Sequence, residues 1–313
     1  RLDNSAPAVA EAVAPYAPDP DWTSLVSGGV HVEEIHLIAS IDGNAITFKD
    51  PIHLDVTSDG NWSVILYEAL EEVGVEDTAF TGNWQGTFVH HASAIDDGGW
   101  SALSYSAVVN SWIRDCRFTD WNRVINLGPS AAVSVIDLKI DGNKGHSSVS
   151  VSRSTHCFVG MVEDTADHHH ASGVNGWCSG TVFWKTTYAP TTSFESHASQ
   201  PRCTLFDNQT GGVLYGLYKY GRWGGSVGNQ PNHLHHLVFW NFNNTGAATL
   251  GAFEFMRSDS VYGRIIMPYV LGFHGVAQAF DASQVAVLES NGAPVEPASL
   301  YQSQYRLRTG RDF

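Results

Sequence analysis

Short apolar runs recur along the middle of this chain at a nearly constant step, and few folds accommodate that. Phe118 in IRDCRF, Ile140 in VIDLKI, Val162 in FVGMV and Phe183 in GTVFW are 22, 22 and 21 residues apart. One short strand per repeat of that length predicts coil stacked on coil, each burying its inward Val, Ile, Leu, Phe and Cys against its neighbours. Asn and Gly at the corners would supply left-handed backbone. The pattern predicts an all-β chain, a right-handed parallel β-helix built as a single-stranded solenoid. An antiparallel sandwich and a propeller compete, but propeller blades run about 40–50 residues, roughly twice this step.

The punctuation suggests three parts. Residues 1–30 are rich in Ala and Pro and read as an N-terminal cap or tether, with PAVAEAVA able to form a helical turn or two. Residues 31–275 carry the predicted β-helix, with a tight turn at Asp42-Gly43-Asn44 and a strand reading for VGVEDTAF. A long inserted loop, GGVLYGLYKYGRWGGSVGNQPN (211–232), breaks the rhythm, and long insertions in regular scaffolds usually carry function. Residues 276–313 form a closing segment ending in PASLYQSQYRLR.

Composition agrees with many short strands joined by turns: aromatics are 12%, charged residues 16%, and there are 30 glycines in 313 residues. The net charge of −15 is uneven, because residues 1–100 hold 17 Asp and Glu against Arg1 and Lys49 alone. An acidic first third argues against nucleic acid as a partner. Residues 101–313 hold 15 acids and 15 bases, so a cleft there can still attract a polyanion. No apolar stretch reaches the roughly 18 residues a membrane helix needs. The start, RLDNSAPAVAEAVAP, lacks Met and an apolar secretory core, so either a signal peptide has been removed or the chain is a processed piece of a longer protein. Cys116, Cys157, Cys178 and Cys203 form no CxxC pair; two disulfides and four buried thiols are both open readings.

Nine of the 15 histidines fall between Gly145 and His236. His146, His169 and His197 are separated by 23 and 28 residues, which would set them in equivalent places on successive coils lining one groove. In the run His168-His169-His170, strand alternation would send His168 and His170 to one face and His169 to the other. Glu195 precedes His197 by two residues and would share its face, as an oriented base or as a surface ion pair. For His235 and His236, hydrogen bonding between coils is favoured over chemistry. Neither HxxxH nor HExxH occurs, so no metal site is assigned; a metal ion stays open as an alternative use of the histidines.

The phrases VVNSWIRDCRFTDWNRVINL, VSVIDLKIDGNKGHSSVSV, GTVFWKTTY, PNHLHHLVFWNF and SLYQSQYRLR resemble the pectate-lyase-like β-helix superfamily. More narrowly, they are similar to secreted bacterial β-helix proteins that act on acidic or sulfated polysaccharides, over roughly residues 30–310. The Lys and Arg pair and the calcium-binding carboxylates of the better-known lyases are not matched residue by residue. The resemblance implies a secreted, extracellular or periplasmic polysaccharide lyase that cleaves a uronate-containing glycan, sulfated or not, by β-elimination. A glycoside hydrolase and a non-catalytic carbohydrate-binding β-helix are the alternatives.

Elimination needs a group to neutralise the carboxylate, a base and an acid. Histidine suits base or acid work because its ordinary pKa is about 6.5. The catalytic candidates are therefore His146, His169 and His197 with Arg153. Arg202, Tyr218, Tyr220, Arg222, Trp223 and His233 are the candidate substrate-binding residues, since aromatic rings stack on sugars and Arg grips acid groups. Hydrolysis would instead use a carboxylate pair drawn from Glu163, Asp164, Asp167 and Glu195, or Asp96 with Asp97.

Overall fold

A computed structural model describes residues 1–6, 9–57, 61–213, 223–247, 251–256 and 263–313. The chain is mostly β, with long parallel sheets compatible with a β-helix or solenoid. Strands β1 (Ser101–Tyr105), β3 (Arg123–Leu127), β5 (Ser147–Ser152), β7 (Gly173–Asn175) and β9 (Glu195–His197) pair in parallel in one sheet. The strands between them, β2 (Val108–Thr119), β4 (Ala131–Asp141), β6 (Phe158–Asp164), β8 (Val182–Trp184) and β10 (Thr204–Asp207), pair in another. That second sheet continues through β11 (Leu237–Trp240), β12 (Tyr269–Leu271) and β13 (Val287–Glu289). The chain thus visits the two sheets alternately, and each visit adds one strand beside its predecessor.

Phe118 pairs with Ile140, as the 22-residue step predicts. Val162, however, lies beside Leu138 and Phe183 beside Val159, a step of 24. The repeat is two residues longer at Val162, and three longer at Phe183, than the apolar runs suggest. Side chains alternate with period two, so a two-residue slip keeps every apolar residue facing inward and leaves the pattern unable to reveal it. Phe183, Phe206, Phe239 and Val270 continue the column at steps of 23, 33 and 31, the longer ones spanning the insertions. Ring centroids of Phe183 and Phe206 are 4.9 Å apart, and those of Phe206 and Phe239 5.5 Å. All are buried in one continuous apolar core.

Corners repeat as faithfully as the strands, although not only with the Asn and Gly anticipated. Asn110, Ala132, His156, Gly180, Cys203 and His236 all hold positive φ at matching places in successive rows. A Cβ in that conformation costs roughly 1–2 kcal/mol. The stacked backbone around these positions imposes the shape regardless of residue type.

Parallel pairing runs from Leu70 to Glu289, a later start than residue 31 and a later end than residue 275. Residues before it pair antiparallel: Leu2–Ala6 lies between Val30–Glu34 and Ser63–Val64, and Ile38–Asp42 turns through Gly43 into Ala45–Phe48. The strand reading of VGVEDTAF holds in Gly74–Glu76 and Ala79–Thr81. The helix Val9–Ala12 packs with Trp22 and Leu25 on Leu234 and Ile266, so the first residues dock against the later rows. The closing segment is the helix Leu300–Thr309; the Ser299 hydroxyl caps it and donates to Asp207 at 2.7 Å. All four cysteines are free thiols. No helix among the described residues is long and apolar enough to cross a membrane.

Candidate functional site

The cleft that gathers the titratable side chains lies along the entry to the β1–β9 sheet, and Asn122 fastens together two of the segments that line it. This buried amide, one residue before β3, donates to the carbonyls of Ile95, Asp96 and Gly99 while its oxygen accepts from the His146 backbone N–H. One side chain therefore fastens the short helix Ala94–Gly98 to the corner before β5. His146 completes the link: its Nδ1–H donates to the Asp97 carbonyl at 2.7 Å, leaving Nε2 as the lone-pair nitrogen. Burial, followed by the nearby His170, pushes His146 down to about 4.

One row on, His170 pairs with Ser147 through the backbone and is buried. Its Nδ1 meets Glu195 Oε2 at 2.7 Å, and Glu195 Oε1 takes His197 Nδ1 at 2.9 Å. The same oxygen accepts the Gly224 N–H at 3.2 Å. Burial alone would raise the Glu195 carboxyl, but the two imidazoles hold it well below the usual carboxylate range. Burial likewise opposes charge on His197, yet Glu195 outweighs it and His197 titrates above an ordinary histidine. Two imidazoles of one cleft are thus driven in opposite directions.

Arg123, at the start of β3, is the cation of the same cleft among the described residues, half-buried and hydrogen-bonded to Asn126. With Asp97, His146, His170, Asn175, Glu195 and His197 it lines one open cleft. His90 joins from the loop before Ala94–Gly98, its ring 4.2 Å from His169 and 5.6 Å from His146. Phe88 stacks on His146 at 5.4 Å.

Of the residues singled out in the sequence, His146, His169 and His197 do gather here, though not in one column. His169 follows His146 in register, whereas His197 pairs with Asn175 and that residue with Ser152. His197 sits further along its row and reaches the others through His170, 5.4 Å away. The alternation reading of the triple histidine fails because these residues form a bend rather than a strand. His168 is buried against Asp164 and the Trp121 carbonyl, while the consecutive rings of His169 and His170 meet at 4.6 Å in the cleft.

The remaining candidates lie elsewhere. Arg153, at the far end of β5, pairs with buried Glu33 at 2.7 Å and covers the Trp177 ring. Arg202 is 1% exposed and donates to the His31 carbonyl, so it reaches no solvent. Trp223 is 1% exposed and packs among Phe194, Phe253 and Phe255 in the core. His233 is fully buried against the Thr204 hydroxyl at 2.9 Å. Tyr218, Tyr220 and Arg222 lie outside the described residues. His236 contacts Cys203 Sγ at 3.7 Å, the cross-row role expected of it. Of the carboxylates considered for hydrolysis, Asp164 is engaged with His168, Asp167 with Lys144, and Glu195 with two histidines.

Sequence reasoning missed Arg123, the Asp97 carbonyl and His90. The histidine pair at 90–91 beside Asp96-Asp97 is a visible signal for that loop, but nothing in WNRVINL distinguishes Arg123 from a surface arginine. Residues 167–312 match the model of a family described as a domain of unknown function, DUF4955. That span takes in His168 to His170, Glu195 and His197, and leaves out His90, Arg123 and His146. No curated protein and no solved structure matches the chain.

Proposed function

We propose that the protein is a polysaccharide lyase that cleaves an acidic, uronate-containing glycan by β-elimination, on parallel sheets that wind as a right-handed β-helix. The observation that carries this reading is the cleft itself: His146 and His197, each pinned at Nδ1, share it with the Arg123 guanidinium. Arg123 pairs with the uronate carboxylate and stabilises the charge that develops when the adjacent ring proton leaves. His146, neutral near pH 7, takes that proton on Nε2. The electron pair of the broken C–H bond forms the ring double bond as the neighbouring C–O bond breaks. His197, whose proton Glu195 retains, gives it to the departing glycosidic oxygen. The assignment follows the general logic that opposed pKa shifts mark acid and base. A polymeric substrate also suits an extracellular setting.

Hydrolysis is the weaker reading, because Glu195 and Asp164 are each locked to histidine and are not free to act as nucleophile or acid. The test is incubation of the full chain with uronate polymers. Elimination gives an unsaturated sugar absorbing at the ultraviolet edge. New reducing ends without that absorbance would replace the lyase with a hydrolase. Saturable binding with no product, unchanged in His146→Ala, would leave a carbohydrate-binding protein.

A further inference from the structure

We propose that His90, His146 and His170 together bind a single divalent transition-metal ion of the zinc class. One ring nitrogen from each lies within 4.8 Å of the other two. Zinc–nitrogen bonds of about 2.0–2.1 Å in tetrahedral geometry need nitrogens roughly 3.3 Å apart, so each imidazole has to move by no more than about 1 Å. Three neutral imidazoles and an open fourth position form a familiar zinc donor set, with room for water or an anionic ligand.

Two independent features mark these nitrogens as ligands rather than a chance crowd. The first is that His170 is 7% exposed and its Nε2 has no hydrogen-bond partner in the cleft, a lone pair shielded from water with nothing to satisfy it. The second is the outer layer. Metal-binding histidines commonly donate their other ring N–H to a carboxylate or carbonyl, which fixes the tautomer. His170 does so to Glu195 at 2.7 Å and His146 to the Asp97 carbonyl at 2.7 Å. His170, Glu195 and His197 also cluster, but there the carboxylate oxygens already accept from both Nδ1 atoms. That cluster is the support of the site, and the three histidines are its ligands.

Binding stands independently of the lyase reading; its consequence for catalysis rests on it. An ion on His146 Nε2 takes the lone pair that would accept the ring proton, so occupancy stops elimination, and substrate and metal compete for one cleft.

The test uses chelator-treated full chain, titrated with CoCl₂ while the visible absorption of nitrogen-ligated cobalt is followed, and with ZnCl₂ by calorimetry. The expected result is one ion per chain, with affinity at least about 10-fold weaker in His90→Gln and in His170→Ala, and about 10–100-fold weaker in Glu195→Gln. His236→Ala, far from the cleft, keeps full affinity. His90 lies on a loop outside the parallel sheets, so His90→Gln remains informative if His170→Ala misfolds. Absence of a saturable one-to-one site, or affinity unchanged in His90→Gln, overturns the proposal. Neither readout involves polysaccharide, so a failed lyase assay leaves it standing, and a failed titration leaves the lyase reading standing.

Discussion

Glu195 and His197 project from the same side of one three-residue strand, and the carboxylate of the first grips the imidazole of the second at 2.9 Å while its other oxygen holds His170 at 2.7 Å. One buried acid therefore orients two cleft histidines at once. Glu195→Gln keeps the shape and removes the charge. It should lower the pKa of His197 towards or below the ordinary value and destabilise the fold by about 1–3 kcal/mol, the usual cost of a weakened buried hydrogen-bonded pair. NMR titration of His197 and a urea melt check the two parts separately.

The pH–rate profile should be bell-shaped. His146 titrates at about 4, so the base becomes competent as pH rises through that value. His197 titrates above an ordinary histidine, so the acid is lost at a higher pH than an unperturbed imidazole would lose its proton. His197→Ala should abolish the alkaline limb and His146→Ala should remove about 10²–10⁴-fold of activity across the whole range. An unchanged alkaline limb in His197→Ala would remove that residue from the mechanism.

Arg123 faces the cleft from the start of β3, whereas Arg153 is spent on Glu33. Arg123→Ala should reduce turnover of a uronate polymer by about 10²–10³-fold, the range for loss of a preorganised charge-stabilising group. Arg153→Ala should leave turnover within a few-fold and instead lower the melting temperature. Steady-state kinetics with thermal melts of both variants separates the roles.

Gly224 packs so closely on the His197 ring that a Cβ there would overlap Nδ1 and Cε1. Gly224→Ala must displace the imidazole or the loop and disturb the N–H bond to Glu195. Activity should fall by at least 10-fold, an estimate from the sensitivity of reacting groups to roughly 1 Å displacements, while far-UV circular dichroism stays unchanged.

Acid should release the N-terminal segment before it melts the parallel sheets. Glu34 is 1% exposed and bonds His36 at 2.8 Å and the Ser179 hydroxyl at 3.0 Å, tying the strand Val30–Glu34 to the rows behind it. Burial raises its carboxyl, but His36 and His53 outweigh that and hold it well below its ordinary 4.5. A carboxyl depressed in the folded state contributes stability in full above its unfolded value and loses it progressively as pH falls below. Hydrogen exchange within residues 30–57 should therefore accelerate as pH drops below about 4, after correction for intrinsic rates, with β2 to β6 still protected. Glu34→Gln should show the same acceleration already at neutral pH.

By itself the sequence determined the secondary-structure class and the repeat. Apolar residues at period two inside a step near 22 can be buried only by stacking neighbours, and Asp42-Gly43-Asn44 and VGVEDTAF announce themselves through local chemistry. It also made His146 and His169 partners, since 23 residues is one row. Tertiary structure alone decided the rest. Register between rows depends on loop lengths that alternation cannot sense, so the 24-residue step at Val162 and the offset of His197 were invisible. Whether an arginine faces a cleft or a buried glutamate depends on chain far away: Glu33 captures Arg153 across 120 residues, and Asp97 holds His146 across 49. Local pattern reports which side of a strand a residue occupies, and only the packed chain determines what waits on that side.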